Sequence, residues 1–569
     1  MKKGLIRFFA AIAIVAVLLV IGVFTLTNTD WGREQVRKKI VALLQGNSHG
    51  IIKVGKVTGN LLKGFTLHDL SITDSAGAPF VKADEASARY ALRSLIGNRI
   101  DFDDVRLVRA VIVLDRPPGG KWNFDRIFPR DTVTATGTKK TKWGTWVRFT
   151  DVTLVDADVT ARSPWEPDPR LTGAERKDVI RETLGPEGRL VLIEVPGGYQ
   201  KVSKFHHINA QLPLLRLADP NFKTHRADVV ALNMIGEPFR PPLVTVKSLV
   251  GGFDFTSDSL WWQDVKVELP SSSIAGSGRY TIENNDLTLR AHGEPVATAD
   301  LRWVYPRLPE RGSGKLDFAM DWVGDTSIYI ARNADMRIAD AHLAGDLGVT
   351  IAEEFSLHDT NVRFNNLDTK LIEQIFPAVK PPRSGILSGR AKLDGNQRDL
   401  AVDGDFNFND RRAGHNRVLA VGNVGFGDGE FRARNLRLTM RPVQVDLARD
   451  FSPTLPIHGT ITGTAVLNGS TDTRMTARAD ITHVDRGAVS HVKGTGSARF
   501  TSGKTTRVSW FDVDAQLEPL SLVTAGRFFP SAGLRGTAAG PLRLTGTMGN
   551  LAVRSNLTFT DGGSLEMTG

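Results

Sequence analysis

Apolar residues recur at every second position over most of this chain. Ile52-Lys53-Val54-Gly55-Lys56-Val57 and Phe65-Thr66-Leu67-His68-Asp69-Leu70-Ser71-Ile72 alternate in twos, and Asp74-Ser75-Ala76-Gly77 supplies a turn. Period two places successive side chains on opposite faces of a strand. The pattern runs on through Ile100-Asp101-Phe102, Val105-Arg106-Leu107 and Ala110-Val111-Ile112-Val113-Leu114. It is cleanest from about residue 245, as in Leu316-Asp317-Phe318-Ala319-Met320-Asp321-Trp322, Val402 to Asn409, Leu436 to Met440 and Leu557-Thr558-Phe559. The prediction is a mainly β protein: an elongated, repetitive antiparallel sheet, curled into a groove, with one apolar face throughout.

Three stretches depart from that alternation. Leu5 to Leu26 carries one charge, Arg7, and its uncharged run from Phe8 is close to the roughly 20 residues that cross a bilayer as a helix. With no A-x-A cleavage pattern after it, this stretch reads as an uncleaved signal anchor. Asp30 to Leu44 reads as a short amphipathic helix, with Val36, Ile40, Leu43 and Leu44 at helical spacing. Thr172 to Leu184, stopped by Gly185-Pro186, predicts a surface helix that interrupts the sheet.

A longer period overlies the strands. Pro306, Pro377, Pro453 and Pro530 each follow an apolar run and precede Gly-spaced strands, at intervals of 71, 76 and 77 residues. A fixed period of this kind signals stacked supersecondary units. The expected organisation is therefore a tail and anchor (1–29), an N-terminal unit (30–130), a linker or loop (131–145), a sheet with the helical insertion (146–300), and repeated modules of about 70–77 residues (301–569).

Composition narrows the setting. The chain has no cysteine, which suits an oxidising compartment, and a seven-residue tail is easier to leave in the cytoplasm than a body of some 540 residues. Lys and Arg on both sides of the span leave the charge bias itself undecided. The net charge of +10 fits lipid head groups or nucleic acid, and equally an ordinary basic surface; the anchor favours lipid over nucleic acid.

No motif points to an enzyme, a cofactor or a metal. Gly46-Asn47-Ser48-His49-Gly50 fits G-x-S-x-G but lies between a helix and a strand, the reverse of a nucleophile elbow. Ser502-Gly503-Lys504-Thr505 reads as a hairpin, because the first glycine of a phosphate loop is replaced by Ala498. His206 and His207, as strand neighbours, are expected on opposite faces. The pairs Asp101 with Asp103, Asp156 with Asp158 and Asp403 with Asp405 are read as solvated strand faces. Of the adjacent Trp261 and Trp262, one is expected in the core and one at a rim.

The order of parts over roughly residues 1–130 resembles the AsmA-like superfamily, and within it the N-terminal part of the TamB group. The resemblance lies in the anchor, the helix from Asp30, then Val57 to Leu70, Gly77-Ala78-Pro79-Phe80-Val81, and Val111-Ile112-Val113-Leu114 before Gly120-Lys121-Trp122-Asn123-Phe124. It implies a single-pass protein of the inner membrane of diderm bacteria, anchored through residues 5–26, with a periplasmic β-groove that carries phospholipids to the outer membrane. It also implies a link to outer-membrane β-barrel assembly, with a barrel partner of the TamA type. The C-terminal domain that faces the outer membrane in TamB is not part of the match, so the expectation is a fragment or a shorter relative.

The residues expected to hold acyl chains are Phe318, Met320, Trp322, Phe406, Phe408, Leu557 and Phe559. The alternatives are an assembly factor acting through an exposed strand edge, a purely structural spacer, and an apolar face that closes on itself as a sandwich or barrel core.

Overall fold

The computed structural model describes residues 29–568 apart from 47, 60–62, 91–99, 129–145, 169, 187, 283–285, 325, 378–380, 382, 411–413, 428–429, 451–454, 502–506, 529, 548 and 561–563. The expected span, the linker at 131–145 and the Ser502 to Thr505 segment lie outside the described residues. No helix among the described residues is long and apolar enough to cross a membrane. The protein is mainly β, with 68% strand and 10% helix. It divides into two compact units, residues 1–287 with 300–306 and residues 288–299 with 307–569.

The first unit opens with helix α1 (Asp30–Gly46), where the periodicity predicts one. Arg37 donates to the Val54 carbonyl at 3.1 Å, and Val41 packs on a cluster of Ile52, Val54, Val57 and Leu67. The strands that follow are β1 (Ile51–Lys53), β2 (Lys56–Thr58), β3 (Gly64–Thr73), β4 (Pro79–Tyr90), β5 (Ile100–Val108) and β6 (Val111–Asp115), then helix α2 (Asn123–Ile127) and β7 (Val147–Trp165). Helix α3 (Gly173–Leu184) precedes β8 (Leu192–Val195), β9 (Gly198–Ala218), β10 (His225–Val229), β11 (Ala231–Glu237), β12 (Val244–Val246), β13 (Ser248–Phe255), β14 (Ser259–Glu268) and β15 (Ser273–Thr281).

The sheet of this unit is mixed, which corrects the antiparallel expectation: β5 and β6 both run parallel to β7. A tight turn cannot join parallel neighbours; they need a crossover of a dozen or more residues. The connection that follows β6 begins with Pro117-Pro118-Gly119-Gly120 and α2. Asn123 fixes its start by donating to Val113 O at 2.6 Å and accepting from Asp115 N at 3.1 Å.

The second unit holds nearly all of β16 (Leu287–Ala297) and the strands β17 (Gly312–Val323), β18 (Thr326–Ile338), β19 (Ala341–Ile351), β20 (Phe355–Asp368), β21 (Gly385–Asn396), β22 (Asp399–Asp410), β23 (Gly414–Gly427) and β24 (Glu430–Gln444). These are followed by β25 (Thr460–Ser470), β26 (Met475–Asp485), β27 (Ala488–Thr501), β28 (Arg507–Ser521), β29 (Thr537–Thr547), β30 (Asn550–Phe559) and β31 (Ser564–Thr568). From β17 onward each strand pairs antiparallel with the next in sequence.

The long period has a structural unit, a set of four strands. Helical turns begin at Thr298, Thr369, Val445 and Leu522, each eight residues before Pro306, Pro377, Pro453 and Pro530. The turn Thr369–Ile375 is capped by Asp368, whose carboxylate accepts from Lys370 N at 2.9 Å. Its Leu371 and Ile375 pack on Met336, Ile338 and Leu343.

Bulges punctuate the strands of both units in one recurrent form. Asp156, Asp264, Asn333, Asn366 and Asn435 all take φ between 50° and 55°. Asx residues tolerate that left-handed region, and a bulge there bends a strand and increases its twist. In each case the freed backbone N–H is capped by a side chain of the next strand: Asn209, Ser277, Asp346, Ser388 and Asn468 accept at 2.7–3.0 Å. A backbone donor left without a partner costs free energy, so these caps make the bends affordable.

Candidate functional site

Residues directly opposite each other on paired strands point to the same face. Followed from strand to strand in the second unit, that rule traces one row: Gly314, Met336, Leu343, Phe364, Gly389, Phe406, Val418, Met440, Gly463, Ile481, Val492, Leu517 and Gly540. Across the thirteen strands β17 to β29 every member is apolar or glycine. The glycines stand on β17, β21, β25 and β29, the first strand of each set of four, at intervals of 75, 74 and 77 residues. They are places of close approach: a Cβ on Gly389 would lie 2.0 Å from Asp405 O, and one on Gly463 2.2 Å from Asp480 O.

Beside this row runs a second one, small except at Leu438: Ala391, Gly404, Ala420, Leu438, Ala465, Ala479, Gly494 and Ala515. One step further along the strands the row is mixed: Leu393, Val402, Leu436, Leu467, Val513 and Leu544 are large, whereas Gly422, Ala477 and Gly496 are small. Rows on one face are about 6.8 Å apart along an antiparallel strand, so the small-residue row forms a low strip beside the bulkier first row, covered at Gly404 by the Phe406 ring.

The register brings all seven sequence-predicted residues to this one face. Phe318, Met320 and Trp322 alternate along β17 with Gly314; Phe406 and Phe408 stand opposite Gly389 and Leu387; Phe559 stands opposite Ala538, with Leu557 two residues before it. All seven are half-buried. Trp322 donates its indole N–H to the Tyr329 hydroxyl at 3.1 Å, so its polar edge is satisfied within the face. Among the described residues of both units, the larger side chains exposed by less than 2% are Ile127 and Ser490. On this face Met336, Phe364, Leu436 and Leu517 are buried, while the seven predicted residues keep part of their surface accessible.

The first unit has a corresponding row, which is more aromatic. Tyr90, Phe102, Phe149, Leu215, Ala227, Phe253, Trp262 and Gly278 stand opposite one another in turn. The Phe102 and Phe149 rings stack at 6.0 Å, and Phe65 meets Phe102 edge-on at 5.7 Å. Burial raises the Tyr90 phenol above its ordinary value. Trp261 and Trp262 divide between the two faces, Trp262 in the row and Trp261 beneath the Arg279 guanidinium at 5.4 Å. Both are half-buried, so neither is the fully buried core residue the pair predicts.

In each unit the opposite face is ionic. Arg148 binds Asp101 through two bonds of 2.9 and 3.0 Å, Arg226 bridges Asp228 and Asp254, and Arg290 pairs with Asp321 at 2.7 Å. The Arg290 guanidinium holds the Asp321 carboxyl below its usual range; Asn333, with His292, does the same for Asp317. The acidic pairs therefore engage neighbouring strands: Asp101 meets Arg148, Asp103 accepts from Thr150 at 2.7 Å, and Asp405 accepts from Arg417 at 2.7 and 3.0 Å.

No family model, curated protein or solved structure matches this chain. Ser48 sits in the turn between α1 and β1, where His49 N donates to Ile127 O at 2.8 Å; this is the reverse order of a nucleophile elbow. His206 and His207 depart from the opposite-face expectation, because His207 takes φ 53° and both rings meet carboxylates of β7, Asp158 at 3.2 Å and Asp156 at 2.8 Å. Among the described residues no group of three or more His, Cys, Asp or Glu has a metal-binding arrangement.

Proposed function

We propose that this protein is a lipid carrier, anchored in the inner membrane by residues 5–26 with its body in the periplasm, that holds phospholipid acyl chains along the apolar face and passes them toward the outer membrane. The row from Gly314 to Gly540 carries the reading. An apolar face on a single sheet needs a second layer or an apolar ligand, and a strip with a small-residue floor offers a linear ligand room to lie across successive strands. The resemblance to the AsmA-like superfamily supports the same reading and adds a barrel protein of the TamA type as a partner.

Burial of an acyl chain is worth about 0.8 kcal/mol per methylene, so a chain of roughly fourteen methylenes binds without any specific hydrogen bond. Selectivity among lipids is correspondingly weak. The ionic face keeps the outside of the sheet in water, and no chemical step is assigned to any residue. The test is in-cell photo-crosslinking from probes at Phe318 and Phe406, with Asp317 and Asp405 as opposite-face controls. Lipid adducts at the aromatic positions alone support the carrier; protein adducts there, with no lipid, point to a closed core or an assembly factor.

A further inference from the structure

One feature of the ionic face breaks its rule of pairing. Arg363 on β20 stands directly opposite Arg390 on β21, and both side chains are exposed. Like charges directly opposite each other destabilise a sheet unless something lies between them. Among the described residues neither guanidinium has an ion pair or hydrogen bond. The carboxylate nearest to hand, Asp405 opposite Arg390, is already engaged by Arg417 through both oxygens. Arg390 and Arg441 also help to hold the Asp405 carboxyl below its usual range.

The patch is concave. Arg363, Asn365, Ser388, Arg390 and Asn407 line a cleft of about 470 Å³, together with His342 and the Arg417-engaged Asp405. The bulge at Asn366 shapes it: Asn366 N donates to Ser388 Oγ at 2.9 Å, and Ser388 donates to Asn365 Oδ1 at 3.1 Å, which fixes the cleft wall. His342 is turned to Asp335 at 2.7 Å. Two unpaired planar guanidiniums on adjacent strands match the oxygens of a tetrahedral oxyanion, and Arg is the side chain suited to that bidentate contact.

We propose that Arg363 and Arg390 form a binding site for a phosphate group, with the Asn407 amide as a further donor. The phosphate belongs either to a lipid head group or to a free anion, and the site lies on the face opposite the apolar row. Its existence is therefore independent of lipid carriage.

The experiment is isothermal titration of the purified full chain with inorganic phosphate at constant ionic strength, beside flotation with phosphatidylglycerol and phosphatidylcholine vesicles. The Arg363→Gln/Arg390→Gln variant is expected to bind phosphate at least tenfold more weakly. Arg363→Glu, which pairs with Arg390 and fills the site from within, is expected to lose phosphate binding with an unchanged or higher urea midpoint. Loss of the preference for phosphatidylglycerol over phosphatidylcholine vesicles alongside assigns the site to a head group; an unchanged preference assigns it to a free anion. No phosphate binding by the parent protein, or equal affinity in the variants, overturns the site.

Discussion

Gly463 stands directly opposite Ile481, so close to the neighbouring strand that a methyl group on Gly463 would lie 2.2 Å from the Asp480 carbonyl oxygen. Its φ of 123° is also one that side-chain-bearing residues rarely adopt. Gly463→Ala is expected to destabilise the second unit by about 2 kcal/mol. Gly427, with nothing within 4 Å of a built Cβ, is the control, and Gly427→Ala should stay within about 0.5 kcal/mol. Urea midpoints of the two variants measure the difference.

Ala479, on the small-residue floor, distinguishes an open strip from a closed core. Inserting a large side chain into a packed interior costs about 1–3 kcal/mol or more, whereas on an accessible face it costs little. Ala479→Trp is expected to leave the urea midpoint nearly unchanged and to lower the lipid that co-purifies with the protein by half or more. A large loss of stability with unchanged lipid content would contradict the carrier.

Arg383 holds Asp410 at 3.0 Å, and Asp410 is only 4% exposed. Removing the cation strands a buried charge, so Arg383→Met is expected to cost about 3 kcal/mol. Adding Asp410→Leu should recover most of that loss, since replacing both partners of a buried pair with apolar groups is often neutral. A double-mutant cycle in urea reads the coupling.

The Asp156 carboxylate raises the His207 imidazole above its ordinary value. A group raised on folding adds stability that is complete below its unfolded pKa of about 6.5 and is lost as pH rises through the folded value. The ring-proton titration of His207 should therefore have its midpoint above 6.5, and His207→Gln should flatten the fall of the urea midpoint between pH 6 and 8. A midpoint at or below 6.5 would show the pair is not formed in solution.

Much of this architecture is legible in the residues alone. Alternation at Leu316 to Trp322 and Val402 to Asn409 sets which side chains share a face, and the prolines at 306, 377, 453 and 530 mark the four-strand sets. The floor from Ala391 to Ala515 is not legible, because Ala420 and Ala479 are ordinary small residues until strand register places them in one row. The large residues at Phe318 and Phe406 attract attention in the sequence, yet the shape of the strip depends as much on what is small. The parallel pairing of β5 and β6 with β7 is a long-range choice that no local pattern records. Asp264 and Asn435 look like polar positions of a strand; only their φ and the side chains capping their amides reveal bends. Alternation misplaces His207 for the same reason, since a residue at φ 53° breaks the pattern on which face assignment rests.

Because the glycines of the apolar row return only once every four strands, the second unit can change size without breaking its pattern only in whole sets. At about 4.8 Å per strand each set is worth roughly 19 Å. Loss or duplication of one set, for example from Gly389 to Thr462, keeps a glycine where a glycine is required and leaves the apolar face on its own side. Length in such a sheet is quantised, growing or shrinking by multiples of one fixed step.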